Sequence, residues 1–358
     1  MNAADVLARA RAFATAAEPV AAERFGHGHV NDTFKVTDAD DRAYILQRIG
    51  ARAFKRPHEV MENIVLVTRH LAARQPSPRH RLTLVPARDG ALWSDDDAGA
   101  TWRMYDHIDG STELSAPLSP ADFRQVGVAF GRFLLDVADL PADRLHVTIP
   151  DYHNEPRYLA LLKKAIVEDR VGRVRDAGPE IEQALSYEEF SHVFDDPELM
   201  ELRVTHNDTK VSNVLVDAVT HEPLAVIDLD TVQPGLAVFD FGDSIRSGAV
   251  TAAEDEPDTD KVAFAPELFA AYAQGYLSAC GDALTDAEIA HLRHGAGIAT
   301  LETSLRFLTD YLVGDEYYRI ERPRQNLDRC RTQLRLLDDL FAHWDWMGET
   351  IAQARLVR

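Results

Sequence analysis

Cysteine is nearly absent: among 358 residues only Cys280 and Cys330 occur, far apart and without CxxC spacing. Such a pair makes neither a disulfide scaffold nor a zinc ribbon and suits a reducing compartment, so a cytoplasmic protein is expected. Long apolar runs are missing too. Nowhere do about 18 apolar residues follow one another, which argues against a membrane span. The opening "MNAADVLARARAFATAAEPVAAERF" mixes Arg, Glu and Asp into a short amphipathic helix in place of a continuous apolar leader. Excess positive charge is lacking as well: 38 Lys and Arg face 59 Asp and Glu, a net −21. That balance repels phosphate backbones and anionic lipid heads alike, so neither nucleic acid nor a membrane is an expected partner. A monomer is expected over an oligomer.

Low-complexity tracts are absent, and an apolar share of 46% allows a sizeable core. The length exceeds one ordinary core and suits two lobes. Residues 1–106 read as a lobe of strands with one helix, followed by a hinge at "YDHIDGS". Its strands are "DTFKV", "AYILQRI" after the turn "TDADDR", "RLTLVPA" and "TWRMYDHI". In "HEVMENIVLVTRHLAAR", Val60, Ile64, Val67 and Leu71 share one helical face. Residues 107–358 read as a second, α-rich lobe, with helical periodicity in "DFRQVGVAFGRFLLDVADL", "PELFAAYAQGYLSAC", "DAEIAHLRHGAGIATLETSLRFLTDYL" and "RQNLDRCRTQLRLLDDLFAHWDWMGETI". The class is α+β. The acidic run from Glu254 to Asp260 reads as a solvated loop.

One stretch inside the helical part breaks the pattern. "VTHNDTKVSNVLVD" crowds a His, two Asp, a Lys and two Asn before an apolar run, and "AVTHEP" then turns the chain into "LAVID". The two runs predict a hairpin, and antiparallel pairing returns Asp228, at the end of the second strand, to the end where Asn213 starts the first. Asp208, Asn213, Asp228 and Asp230 are thereby expected to converge. Phosphoryl transfer from a nucleotide needs a carboxylate for the incoming hydroxyl and hard oxygen ligands for Mg²⁺. Asp208 fits the first need, the Asn213 amide oxygen and the Asp228 carboxylate fit the second, and Asp230 is a further metal candidate. Lys210 can offset charge on the transferred group. A metal site without chemistry is the plainer alternative.

"HNDTKVSN" with "VIDLD" resembles the catalytic loop and metal-binding strand of the kinase-like aminoglycoside and choline phosphotransferase superfamily. Within it, "FGHGHVNDTF", "YILQRI", "VTHNDTKVSNVL", "VIDLDTVQPG", "FDFGDSIRSGA" and "RFLTDYLVGDEYY" are together similar to the N-acetylhexosamine 1-kinase family. The resemblance covers nearly the whole chain. It implies a bilobal protein-kinase-like fold, ATP and Mg²⁺, and phosphorylation of the C1 hydroxyl of N-acetylglucosamine or N-acetylgalactosamine. Asp208 is then the base, Asn213 and Asp228 are metal ligands, and Asp240 braces the catalytic loop. An aminoglycoside or amino-alcohol kinase, or a nucleotide-binding module without transfer, is the alternative.

The remaining expectations are local. Gly26 and Gly28 let backbone amides approach phosphates, with His29 beside them, although a plain hairpin turn also explains the glycines. Asp32, in the same segment, is counted with the substrate residues. Protein kinases carry a Lys on the third strand; "AYILQRI" offers Gln47 and Arg48, which point to opposite faces, and charge favours Arg48 with Glu62 or Glu59 as partner. Asp243 either binds a sugar hydroxyl or pairs with Arg246. Arg306 and Tyr317 suit an acetamido carbonyl and a sugar face, helix packing being the alternative for Tyr317. "IPDYHNEPRY" departs from the family pattern at Tyr152, Asn154 and Glu155 while keeping His153.

Overall fold

The computed structural model describes residues 2–26, 30–114, 118–196 and 198–356. It divides into two compact units: Met1–Thr112 with Asp136–Ile149 and Leu215–Pro234, and Glu113–Leu135 with Pro150–Val214 and Gly235–Arg358.

The first unit opens with helix α1 (Ala3–Ala10). Its start is fixed by a capping box: the Asn2 side chain accepts from the Asp5 amide at 2.9 Å while Asp5 accepts from the Asn2 amide. Strands β1 (Pro19–Arg24), β2 (Asp32–Asp38) and β3 (Ala43–Arg48) follow, then helix α2 (Pro57–Arg74), β4 (Ser94–Asp95) and β5 (Thr101–Asp106). They form one sheet in the order β1-β2-β3-β5-β4, antiparallel throughout. The β2–β3 turn is built by Asp38, which is buried and takes the amides of Asp40 and Arg42, both at 3.0 Å, on one carboxylate oxygen.

Side chains alternate across this sheet. Phe34, Val36, Tyr44, Leu46, Trp102 and Met104 share a core with Val6, Ala10 and Phe13 from the α1 segment. Val60, Ile64, Val67 and Leu71 of α2 are buried, as their spacing predicts. "RLTLVPA" is not a strand. Leu84 and Ala87 make only isolated bridges, to Tyr105 and Phe13, and Pro86 has no amide to donate to a ladder. Part of the amino-terminal segment read as helix is instead β1.

The second unit is helical: α3 (Pro120–Asp136), α4 (Glu155–Glu168), α5 (Gly178–Ser186), α6 (Ala237–Gly248), α7 (Pro266–Cys280), α8 (Asp286–Val313), α9 (Gln325–Ala342) and α10 (Trp344–Leu356). The carboxy-terminal stretch read as a single helix breaks at His343 into α9 and α10. α8 starts at a capping box of Thr285 and Glu288 and ends on Gly314 at φ +111°, which only glycine adopts cheaply. Leu159 and Leu162 of α4, Leu301, Leu305 and Leu308 of α8, and Leu334 and Leu337 of α9 pack one core. Among the described residues, no helix is long and apolar enough to cross a membrane. Cys280 and Cys330 are buried and free.

Candidate active site

The crowded stretch is a loop, entered from the short strand Arg203–Thr205 and left through a 3-10 turn, Val211–Asn213. Thr205, His206, Asn207 and Thr209 are buried. Such a loop needs partners for its backbone, and α6 supplies them. The Asp240 carboxylate accepts the amides of His206 at 2.8 Å and Asn207 at 2.7 Å, its carbonyl accepts the Thr209 hydroxyl, and Ser244, one turn later, donates to the Thr209 carbonyl at 2.7 Å. Tyr272 donates to Ser244 in turn, at 2.7 Å. Burial pushes the Asp240 carboxyl up, against the pull of His206 and the two amides. Gly235 is required by closeness: a Cβ there would stand 2.3 Å from the Thr205 hydroxyl. Asp240 thus fixes the loop as the resemblance implies; the contribution of Ser244 was not anticipated.

Asp208 lies at the loop's tip, partly exposed. One of its oxygens accepts from Lys210 Nζ at 2.7 Å and from Asn213 Nδ2 at 2.9 Å. Burial raises its carboxyl, but Lys210 above all, then His206 and Asn213, overcome this and hold it below the usual range. Because Asn213 Nδ2 also donates to the Asp208 carbonyl, at 2.7 Å, the amide oxygen is the atom Asn213 can offer a cation. The stretch therefore positions a carboxylate, an ammonium and an amide oxygen together.

Asp228 and Asp230 belong to the first unit. Strands Val214–Asp217 and Pro223–Val226 are neighbours, the expected hairpin. Asp228 follows at φ +61°, a left-handed conformation uncommon outside glycine. Asp230 is buried, bound by both terminal nitrogens of Arg103 and by the Asn31 amide. Burial opposes its charge, yet Arg103 keeps the carboxyl below its usual range. Asp230 is therefore the ion-pair partner of Arg103, with both carboxylate oxygens engaged, in place of the metal ligand expected from the sequence. Leaving it unpaired would cost about 3–5 kcal/mol. Arg103 was missed in the sequence; a lone Arg within the apolar strand "TWRMY" was its only signal.

Arg48 is likewise an ion-pair partner. It sits beside Phe34 and Val6 on the face of the sheet that packs against α1, 3.9 Å from Asp32. Gln47 takes the other face, bonded to Thr33 at 3.1 Å and Arg103 at 2.9 Å. Neither expected partner reaches Arg48, because Glu62 meets His146 and Glu59 meets Arg56. Asp32 joins Arg48 and Arg24 in a surface ion cluster. Gly26 has φ +73° with open space around it, while Gly28 and His29 fall outside the described residues.

Further candidates lie in the second unit. Asp243 is bound by Arg246 at 3.0 and 2.8 Å, and Arg246 also meets Glu254. Arg306 donates to Glu302 at 3.2 Å and lies over the rings of Tyr152, Tyr158 and Tyr318 at 5.8, 5.5 and 5.7 Å. Burial opposes the Glu302 charge, but His153, then Arg306, bring its carboxyl down to about 2. Tyr152 ties this cage to the loop by donating to the Asn207 carbonyl at 3.1 Å. Tyr317 does not face Arg306; it is 57% exposed and meets the edge of Tyr318, the tyrosine that does.

Residues 21–287 match the phosphotransferase enzyme family known as APH. The chain belongs to this family. Among solved structures, this phosphotransferase is similar to an amicoumacin kinase in complex with AMP-PNP, Ca²⁺ and Ami, at 14% identity over 94% of this chain and 93% of that one, TM-score 0.62. It is similar to a microcompartment-associated aminopropanol kinase, at 18% identity over 96% and 98%, TM-score 0.61. The aminoglycoside phosphotransferase from Alicyclobacillus acidocaldarius matches at 12% identity over 96% and 95%, TM-score 0.63. At these identities the likeness speaks to fold: a kinase-like fold with an amino-terminal antiparallel sheet and a helical carboxy-terminal region.

Proposed function

We propose that this phosphotransferase moves the γ-phosphoryl group of ATP onto the C1 hydroxyl of N-acetylglucosamine or N-acetylgalactosamine, giving the sugar 1-phosphate. The observation that carries the reading is the pairing of carboxylates with cations. Asp208 has Lys210, Asp243 has Arg246, and Glu302 has Arg306. These carboxylates are already neutralised, so they favour an uncharged polyhydroxyl acceptor over a cationic one.

Asp208 accepts the C1 proton as the phosphoryl group departs from ATP. An anomeric hydroxyl is more acidic than other sugar hydroxyls, so a weakly basic carboxylate suffices and no covalent intermediate is needed. Lys210 balances the charge on the group in transit. Arg306 presents its guanidinium to the acetamido carbonyl, with tyrosine rings for the sugar face and Asp243 and Tyr317 as further contacts. The Asn213 amide oxygen and the Asp228 carboxylate suit a hard cation. When bound there, Mg²⁺ would neutralise phosphate charge. Residues 1–106, with the turn at Gly26, serve the nucleotide, and 107–358 serve catalysis and acceptor.

A second reading, an amino-alcohol or aminoglycoside kinase, is favoured by the acceptors named for the solved neighbours and by the net charge of −21. Turnover of the two N-acetylhexosamines, ethanolamine and kanamycin at one saturating ATP and Mg²⁺ concentration separates them. The expected result is preference for a sugar, with phosphorus coupled to the anomeric proton in the NMR spectrum of the product. Preference for an amine ends the sugar reading, and coupling at C6 ends the regiochemistry. ATP binding without any transfer would leave only a binding module.

A further inference from the structure

A second set of donors shares no residue with Asp208, Asn213 and Asp228. His153, Glu155 and Glu302 each present one ligand atom within 4.8 Å of the others. Glu155 opens α4 and Glu302 lies within α8, both almost fully buried; the His153 side chain is 10% exposed. His153 Nδ1 meets Glu302 Oε2 at 2.8 Å, and the ring lies between Tyr152 and Phe239, at 4.3 and 4.4 Å.

Two polar atoms of this cluster are buried without a hydrogen-bond partner: His153 Nε2 and Glu155 Oε1. Orphans of this kind cost about 1–3 kcal/mol each and call for a missing partner. Two carboxylates and an imidazole in an apolar wall form a ligand set that a divalent cation satisfies and a neutral molecule satisfies less well. Imidazole combined with carboxylate suits Zn²⁺ and its neighbours in the first transition row, whereas Mg²⁺ takes oxygen ligands and keeps its waters. Bonds of about 2.0–2.2 Å would need only the more widely separated donors to close, by roughly an ångström. Arg306 occupies Oε1 of Glu302, so Oε2, which meets His153 Nδ1, is the oxygen that would turn to the ion.

We propose that His153, Glu155 and Glu302 form a binding site for a divalent transition-metal ion of the Zn²⁺ class, separate from the nucleotide's cation. Its work is structural. Asp151 and His153 are both left-handed, at φ +56° and +55°, and strain of that kind persists only where surroundings enforce it. The ion pins this turn and the start of α4 onto α8, and so keeps Tyr152 on the Asn207 carbonyl behind Asp208.

The test uses the full chain carrying Asp228→Asn, which removes a ligand proposed for the nucleotide's ion, so failure here is distinguishable from failure of the kinase reading. After chelator treatment, titration with Zn²⁺ in excess Mg²⁺ is expected to show one tight equivalent. His153→Ala and Glu155→Gln are each expected to weaken it by more than about 100-fold, beyond the roughly 10–100-fold of an outer-shell change. If His153→Ala fails to fold, Glu155→Gln and the visible spectrum of Co²⁺ in place of Zn²⁺ still decide, a low-coordinate nitrogen–oxygen site being expected. Substoichiometric Zn²⁺, Zn²⁺ displaced by Mg²⁺, or a full equivalent retained by the variants would overturn the proposal.

Discussion

Asp208 shares one carboxylate oxygen between Lys210 and Asn213, and this arrangement sets what the residue can do as a base. Because Lys210 lowers the carboxyl, the group is ionised throughout the neutral range and loses its charge only as pH falls through the depressed value. The acid limb of kcat/KM should therefore lie below about 4, the ordinary value for Asp. Lys210→Ala should move that limb upward, and a limb left in place would mean that the lysine does not set the base. Asp208→Asn should cut kcat by about 10²–10⁴ with ATP-analogue affinity in calorimetry nearly unchanged. Comparable losses in both measurements would assign Asp208 to nucleotide binding. Other single residues were harder to place from sequence. Charge favoured Arg48 over Gln47, but which of two adjacent strand residues faces α1 is set by register, here Asp32 opposite Arg48. Tyr317 and Tyr318 pose the same difficulty past the end of α8.

At the level of elements, α6 is the part on which the loop depends. It meets α8 where two glycines face each other: a Cβ at Gly242 would fall 2.2 Å from the Gly295 carbonyl oxygen, and one at Gly295 would fall 2.0 Å from the Val238 carbonyl oxygen. Both neighbours are backbone, so neither can yield without moving a helix. Gly242→Ala is expected to cost about 1–3 kcal/mol in chemical denaturation. By shifting Asp240 and Ser244, which flank it, the same change should also lower kcat; loss of stability with kcat intact would show that the loop holds itself. The glycines were visible in the sequence, but their facing one another was not. Strands β2 and β3 and helix α2 were legible because burial imposes periods of 2 and 3.6 on them, whereas β5, buried from Thr101 to Tyr105, was legible from its aromatic and apolar residues. The catalytic loop was legible because its polar residues are close in sequence. The His153–Glu302 contact spans 149 positions and leaves no local pattern, and Arg103 with Asp230 spans 127.

For the whole molecule, the excess of 59 acidic over 38 basic residues is a field that every charged acceptor must feel. A cationic amino alcohol would be concentrated near such a surface at low salt and lose that advantage as the screening length falls from about 30 Å at 0.01 M to about 8 Å at 0.15 M. Its KM should then rise with ionic strength. A neutral N-acetylhexosamine feels no net pull, and the carboxylates named around Asp208 and Arg306 are already paired, so its KM should stay within about twofold across the same range when ATP and Mg²⁺ are saturating. Steady-state kinetics of both acceptors in matched buffers measure this directly. Were the better substrate's KM to climb steeply with salt, the paired cations would not be neutralising the acceptor site, and the amine reading would replace the sugar one.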